Sequence, residues 1–230
     1  MQPIIECLID KIKNTKIQTY PFDHLVVDNA LPSVFYAQLA KELEREQFSD
    51  KYTRAPYGNK ERYAVDITDY LAWKTSGRKI LTTFHKSNYK SLQSGDSTNI
   101  KSFTELLVEN QKSLYSALCS KLPTERIQDN YFFHANMTKD SVGYEIKPHP
   151  DDKENIYTIL FYAPETDINK KFGLHVCGEK IEFIPNRMVI FAPSRPDSQR
   201  PATWHEVRRL TDELIGTRNS FQMFFYTNSN

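Results

Sequence analysis

The sequence predicts an α+β fold, with helices in the first half of the chain and short strands in the second half. Apolar residues recur at helical spacing in three segments before residue 122. After residue 130 they form short β-rich runs separated by turn residues. Seven such runs over 100 residues are typical of a sandwich, a barrel or a jelly roll.

Two segments near the N-terminus, 3–14 and 32–46, show the apolar spacing of helices, and the segment between them, YPFDHLVVDNALP, is typical of a strand that ends in a turn. Residues 102–121 form the most periodic helix, and we expect it to brace a sheet. The polar stretches 48–66 and 87–101 follow neither period and are predicted to be surface loops.

The β-rich second half contains no internal repeat and no glycine-rich phosphate loop. Its strand candidates are separated by turn residues, and each is short. They are NYFFHANMT, VGYEIKPH, NIYTILFYA, FGLHVCG, KIEFIP, RMVIFAP and SFQMFFYT.

Composition limits the classes of protein to which the chain can belong. Its 230 residues fit one compact domain, with helical support and loops in 1–129 and a β core in 130–230. Lys and Arg number 30 against 29 Asp and Glu, so we expect no nucleic-acid partner. No apolar run approaches the roughly 18 residues of a membrane span, and the N-terminus lacks a signal peptide's basic start. We therefore expect a cytoplasmic protein with no membrane partner.

The three cysteines, Cys7, Cys119 and Cys177, are odd in number, widely spaced and free of any CxxC pattern. This arrangement argues against a disulfide framework and against a zinc finger. We expect buried, reduced thiols.

The candidate chemistry lies in the second half. His149 and Asp151 stand two residues apart in HPDD, a pairing that by itself is also compatible with a surface turn. His205 follows in ATWHEV, after a strand candidate and a Pro-rich loop. Two imidazoles and one carboxylate suit non-haem Fe(II) and leave coordination positions open. Zinc binds the same residue types and remains the alternative.

Arg218 follows His205 by 13 residues and begins the last strand candidate, where Ser220 shares its face. A guanidinium binds a carboxylate through two parallel hydrogen bonds, so Arg218 is a candidate for holding a carboxylate ligand. The alternative is a surface arginine at a strand end.

The order HxD, β-runs, His and then RxS resembles the 2-oxoglutarate- and Fe(II)-dependent dioxygenase superfamily, in particular its prolyl-hydroxylase-like branch, over residues 130–227. The resemblance implies a double-stranded β-helix, a jelly-roll or cupin-like core, braced by the N-terminal and central helices. It also implies that His149, Asp151 and His205 bind Fe(II) and that Arg218 with Ser220 holds 2-oxoglutarate.

Further segments carry the resemblance, although FGLHV has only Gly173 of the family's Gly-Gly pair. The pattern implies that Tyr162 faces inward towards the co-substrate, the alternative being a core aromatic. Asn136 is a similar candidate for contact with substrate or co-substrate. We expect His134 and His175 to be satisfied by neighbouring carbonyl groups, and Trp204, beside His205, to pack.

The resemblance implies that the enzyme consumes 2-oxoglutarate and O₂, releases succinate and hydroxylates its substrate. We expect a small, carboxylate-bearing substrate such as a free amino acid, because two loops predicted to border the site, 51–63 and 193–204, carry arginines. The alternatives are a protein or peptide side chain, as in prolyl hydroxylases, and a cupin-like metal-binding module without turnover, against which Arg218 argues. The loop arginines are Arg54, Arg62, Arg195 and Arg200.

Overall fold

The computed structural model describes residues 2–46, 61–66, 98–122, 124–129, 131–194 and 202–227. Within these ranges it contains four helices, none of which has the length and apolarity needed to cross a bilayer. The helices are α1 (Gln2–Asn14), α2 (Ser33–Arg45), α3 (Thr98–Glu109) and α4 (Gln111–Lys121).

Ten strands are described, and they form two antiparallel sheets. The large sheet has the order β1-β8-β5-β10-β3-β2, and the small sheet has the order β4-β9-β6-β7. The strands are β1 (His24–Val27), β2 (Arg62–Asp66), β3 (Tyr131–Asp140), β4 (Ile146–His149), β5 (Asn155–Tyr162), β6 (Leu174–Val176), β7 (Glu179–Ile181), β8 (Met188–Phe191), β9 (His205–Val207) and β10 (Arg218–Thr227).

The two faces of the large sheet differ because successive side chains of a strand point to opposite sides. One face packs against the helices and forms the larger core, so the helices brace the sheet as predicted. This core includes Leu8, Leu39, Phe103, Leu107, Leu118, Phe133, Met137, Phe161, Phe221 and Phe225. The opposite face contributes to a smaller core with the small sheet, which includes Leu160, Tyr162, Val189, Phe191, Leu174, Val176 and Val207.

The central helical segment differs from the prediction of one helix over 102–121. It forms α3 and α4, which are separated at Asn110, where the side-chain amide donates to the Leu106 carbonyl at 2.9 Å. The backbone of Asn110 leaves the helical range, with a φ of −108° and a ψ of 14°. Helix α3 begins earlier than predicted, because the Glu42 carboxylate accepts the N–H groups of Asn99 and Ile100 at 2.8 and 3.0 Å. Sequence spacing cannot show such a cap from another helix.

Three strand predictions also need correction. Part of the predicted loop 48–66 is strand β2, which pairs along β3. The run VGYEIKPH becomes a strand only at Ile146, and His205 begins an eighth strand after residue 130, β9, which was not predicted. A strand of three or four residues is too short to show an alternating pattern, so its pairing partners define it. Residues 48–60 and 87–97 of the two predicted loops lie outside the described residues.

All three cysteines are free, as expected. Cys7 and Cys119 are half-buried, but Cys177 is exposed in a turn with a φ of 47°. The prediction of a buried thiol is therefore wrong for Cys177.

Candidate metal centre and the inner face of the large sheet

The three predicted metal ligands meet at one edge of the small sheet. His149 ends β4 and His205 begins β9, and the two residues are partners in the strand register. Their rings lie 4.4 Å apart between centroids. Nε2 of His205 lies 3.5 Å from Oδ1 of Asp151, and Nε2 of His149 lies 3.9 Å from the same atom. One ligand atom from each residue therefore falls within 4.8 Å of the others.

Neighbouring groups fix the orientation of both imidazoles. Nδ1 of His149 donates to the Lys147 carbonyl at 2.9 Å, and Nδ1 of His205 donates to the Thr203 carbonyl at 3.0 Å. A carbonyl can only accept, so each Nδ1 carries a proton, and in the neutral ring each Nε2 presents a lone pair. This is the arrangement that orients histidine ligands in metal sites.

The Asp151 carboxylate is held in the same way. Its Oδ2 accepts from the Thr158 hydroxyl at 2.5 Å, and that hydroxyl accepts from the Asn155 amide at 2.7 Å. Thr158 and Asn155 lie on β5, so the large sheet positions Asp151, which follows β4 of the small sheet. Oδ1 remains directed at the two imidazoles.

Electrostatics favour the protonation states that metal binding needs at two of the three positions. Burial lowers the pKa of His149, and the neighbouring His205 lowers it further. Burial raises the pKa of Asp151, but His205 and Thr158 outweigh it, so the pKa lies below its ordinary value. Burial lowers the pKa of His205, but Asp151 outweighs it, so that pKa is raised. The raised pKa means that His205 readily holds a second proton, on Nε2 beside Asp151. A bound metal cation would take the place of this proton.

The donor set fits Fe(II). Two neutral imidazoles and one anionic carboxylate come from one side, which leaves positions open for exogenous ligands. His149, Asp151 and His205 are the residues that would hold the ion. The same set would also accept zinc, for which three protein ligands and an open position are usual in catalytic sites.

Away from the metal centre, the inner face of the large sheet is unusually polar. Arg218, Ser220, Gln222 and Phe224 of β10 share this face because they alternate along the strand. The register places Phe224 beside Thr158, at the metal end. Arg218 lies at the opposite end of the face, beside Asp140 of β3.

Arg218 is not the surface arginine of the alternative interpretation, because its exposed fraction is only 2%. Its Nε donates to the Phe172 carbonyl at 2.9 Å, and its Nη1 donates to Asp140 Oδ2 at 2.9 Å. Its guanidinium carbon lies 5.0 Å from the ring centre of Phe183 and 5.5 Å from that of Tyr162. These contacts fix the guanidinium.

Asp140 also binds Arg62, which joins the site from β2. Nε of Arg62 lies 2.6 Å from Oδ1 of Asp140 and Nη2 lies 2.9 Å from Oδ2, while Nη1 donates to Gln222 at 3.2 Å. Asp140 was not predicted, because nothing local distinguishes it from any acid that ends a β-run. Arg62 was one of the four arginines predicted as candidates for contact with the substrate, whereas the structure pairs it with Asp140. The other predicted substrate contacts, Arg54, Arg195 and Arg200, lie outside the described residues.

The remaining predicted contacts lie on the same face. Tyr162 is fully buried, and its hydroxyl accepts from the Leu174 N–H at 3.3 Å. Burial raises its pKa, although the nearby Arg218 opposes the shift. The Ser220 hydroxyl shares a 2.8 Å hydrogen bond with Thr138. Asn136 is buried, and its Oδ1 has no partner among the described residues.

No model of a protein family matches the sequence, and no curated protein matches it either. Solved structures do. The prolyl-4-hydroxylase of Pseudomonas putida aligns with a TM-score of 0.54 and 13% identity over 96% of this chain and 100% of that chain. The chain has the fold of a prolyl-4-hydroxylase. The viral collagen prolyl hydroxylase of Paramecium Bursaria Chlorella virus-1, solved with 2OG, aligns at 0.47 and 13% over 88% and 94% of the two chains.

This prolyl-4-hydroxylase fold confirms, for the backbone, the resemblance inferred from the order of the motifs. The glycine at position 173 is explained by a close contact within this structure. A Cβ there would lie 1.8 Å from the Ile181 carbonyl oxygen, so β6 and β7 approach closely only with glycine at this position.

Three further side chains were predicted to have structural roles. His134 is half-buried and stacks on Phe224 at 6.0 Å. His175 is buried and interacts with the backbone of Gly178, as expected, while its Nδ1 has no partner among the described residues. Trp204 is covered only in part, because 40% of it is exposed.

Proposed function

We propose that the chain is an Fe(II)- and 2-oxoglutarate-dependent dioxygenase that hydroxylates its substrate, with its two sheets forming the double-stranded β-helix of a single domain over residues 1–230. The observation that carries the proposal is the convergence of His149, Asp151 and His205, each held by a neighbour that leaves its ligand atom directed at one point. The prolyl-4-hydroxylase fold agrees with it.

The protein's own groups have separate tasks in this proposal. His149, Asp151 and His205 hold iron, which when bound with 2-oxoglutarate supplies the activation of O₂. Arg218 receives the distal carboxylate of 2-oxoglutarate. A guanidinium has five N–H donors, and the hydrogen bonds to Asp140 and Phe172 leave others for a ligand. Burial strengthens this charge-assisted bond because little water competes with it.

Polar groups between these two ends complete the proposed co-substrate site. Ser220 and Tyr162 lie side by side in the register, next to Arg218 along the same face. Both offer hydroxyl groups to a carboxylate. The unpartnered Oδ1 of Asn136 is an acceptor that we assign to the substrate or the co-substrate.

We propose a small substrate bearing a carboxylate, such as a free amino acid, with a protein or peptide side chain as the second candidate. The small-molecule proposal rests on the arginines of the two predicted loops. At the metal end, the stacked rings of His134, Phe224 and Tyr226 provide a half-buried wall for the apolar part of a substrate.

The first experiment tests the metal centre. Protein supplied with Fe(II) should bind one ion per chain and release succinate from 2-oxoglutarate. We expect slow succinate release even when no substrate is added. Asp151→Ala should lose both properties, whereas Asp152→Ala, the same change at the exposed neighbouring residue, should keep them. Iron binding without any succinate release under all conditions would instead indicate a metal-binding module without turnover.

The second experiment tests the substrate class. Succinate release is measured with a panel of free amino acids, their amides and short peptides. Stimulation by acids but not by the matching amides supports recognition of a carboxylate. Stimulation by peptides alone would assign the chain to the second candidate, and Arg54→Ala, Arg195→Ala and Arg200→Ala would then leave turnover unchanged.

A further inference from the structure

A cavity of about 370 Å³ lies on the outer face of the small sheet, away from the proposed metal centre. Strand β6 forms part of its wall. Leu174 and Val176 of this strand point into the core between the sheets, so His175 between them points outward to the cavity. Basic side chains dominate the lining, which includes Lys171, His175, Lys180, Arg208 and Arg209.

The charges of this cavity are not balanced. Glu213 is the single carboxylate in its lining, and it pairs with Lys171. Arg208 pairs at 3.0 Å with Glu206 of β9, the strand next to β6. Lys180 and Arg209 have no carboxylate partner among the residues that the structure describes. The cavity therefore carries excess positive charge at its mouth.

His175 lies in the wall of the cavity and would report a bound anion. Only 7% of this residue is exposed, and its Nδ1 has no hydrogen-bond partner in the described part of the chain. Burial lowers the pKa of His175 and Arg208 lowers it further, whereas the backbone of Gly178 raises it. A bound anion would favour the imidazolium, so the ring of His175 would respond to occupancy of the cavity.

We propose that this cavity binds a small molecule carrying a phosphate group. A phosphate offers three acceptor oxygens and close to two negative charges, which matches several cations around one space better than a single carboxylate does. The volume lies within the range of about 300–1,000 Å³ that is usual for small-molecule sites. A nucleic acid is disfavoured, because the chain has a formal net charge of only +1. The proposal does not depend on the hydroxylase function.

The experiment measures binding of inorganic phosphate and pyrophosphate to the full chain at low ionic strength, without iron or 2-oxoglutarate. Calorimetry gives the affinity, and the NMR signals of the His175 ring report its location. Wild-type protein should bind pyrophosphate more tightly than phosphate. The double variant Lys180→Ala, Arg209→Ala should bind about tenfold more weakly or worse, since two charge-assisted hydrogen bonds are lost. Both residues are exposed, so the variant should fold.

A matched control removes the same charge elsewhere. Lys41→Ala, Lys112→Ala changes two exposed lysines on α2 and α4 and should bind pyrophosphate like the wild type. Equal weakening in both double variants would show non-specific attraction and overturn the site. The site would also be overturned if pyrophosphate did not bind or if its binding left the His175 signal unmoved. Displacement of pyrophosphate by 2-oxoglutarate, or tighter binding of a single-stranded oligonucleotide than of pyrophosphate, would overturn it as well.

Discussion

Asp140 lies between two buried arginines, and this arrangement determines what Arg218 can do. The carboxylate is fully buried and contacts both guanidinium groups at 2.6–2.9 Å. Removing one partner of a buried ion pair leaves an uncompensated charge, which is far more costly than losing an exposed pair. In the proposed function Asp140 is therefore a positioning residue, because it fixes the guanidinium of Arg218.

Changing Arg218 to Lys should raise the 2-oxoglutarate concentration at half-saturation by about 30-fold, or roughly 2 kcal/mol. An ammonium keeps the charge but cannot form two parallel hydrogen bonds. The measurement is succinate release against co-substrate concentration. Arg187→Lys serves as the control, because Arg187 pairs with Asp28 on the sheet edge. Unchanged half-saturation in Arg218→Lys would place the carboxylate site elsewhere.

Changing Asp140 to Asn should lower the free energy of unfolding by about 3 kcal/mol, since two buried guanidinium groups lose their shared carboxylate. Urea denaturation measures the loss. A high concentration of 2-oxoglutarate should restore more stability to this variant than to wild type, because the ligand supplies an anion near Arg218. Asp152→Asn, an exposed change of the same kind, should have little effect. If 2-oxoglutarate did not reduce this loss of stability, Asp140 would not support the co-substrate site.

At the scale of elements, the small sheet depends on a close approach between β6 and its neighbours. Val176 of β6 pairs with His205 of β9, and β9 pairs with β4 through His149. Displacement of β6 would thus be transmitted to two of the proposed metal ligands, His205 and His149. The close approach of Gly173 to the Ile181 carbonyl sets the spacing between β6 and β7.

Gly173→Ala should destabilise the protein by about 1–3 kcal/mol, the usual effect of overpacking, because a Cβ there would lie 1.8 Å from a backbone oxygen that cannot rotate away. Iron affinity should fall as well, since β6 supports His205. Thermal denaturation and iron titration measure the two effects. Full stability in the variant would mean that β6 and β7 separate without affecting the rest of the sheet.

Tyr115 of α4 gives the helix layer a pH dependence. Burial raises its pKa to about 12, and its hydroxyl donates to the Gln128 carbonyl at 2.9 Å. The folded protein therefore keeps this proton after the unfolded chain, with a pKa of 10.0, has released it. The stability contributed by the protonated hydroxyl is complete below pH 10 and is lost as pH rises towards 12.

Tyr115→Phe should therefore be less stable than wild type near neutral pH, and the difference should narrow above about pH 10. Urea denaturation at about pH 8 and about pH 11 gives the comparison. Tyr20→Phe is the control, because Tyr20 is 74% exposed. A difference that stays constant across this range would contradict the assignment of the alkaline effect to Tyr115.

At the scale of the whole molecule, the sequence predicted what depends on order along the chain. His149, Asp151 and His205 come together as predicted, because HxD and a distant His keep their order along the chain. Pairings between distant segments were missed, since register is set by tertiary contact. Arg62 meets Asp140 only because β2 adds to the edge of β3, and Glu42 caps α3 only because α2 packs beside it.

Binding of iron should stabilise the entire fold, because the centre joins parts that are far apart in sequence. His149 and His205 come from two strands of the small sheet, and Thr158 of the large sheet holds Asp151. A ligand that binds only the folded state adds about 2.7 kcal/mol at a hundredfold excess over its dissociation constant. Anaerobic thermal denaturation with Fe(II) should therefore show a raised Tm, and a chelator should reverse it. Asp151→Ala should lose the shift and Asp152→Ala should keep it. An equal shift in all three proteins would show that iron binds outside this centre, and the proposed oxygenase chemistry would then lose its metal site.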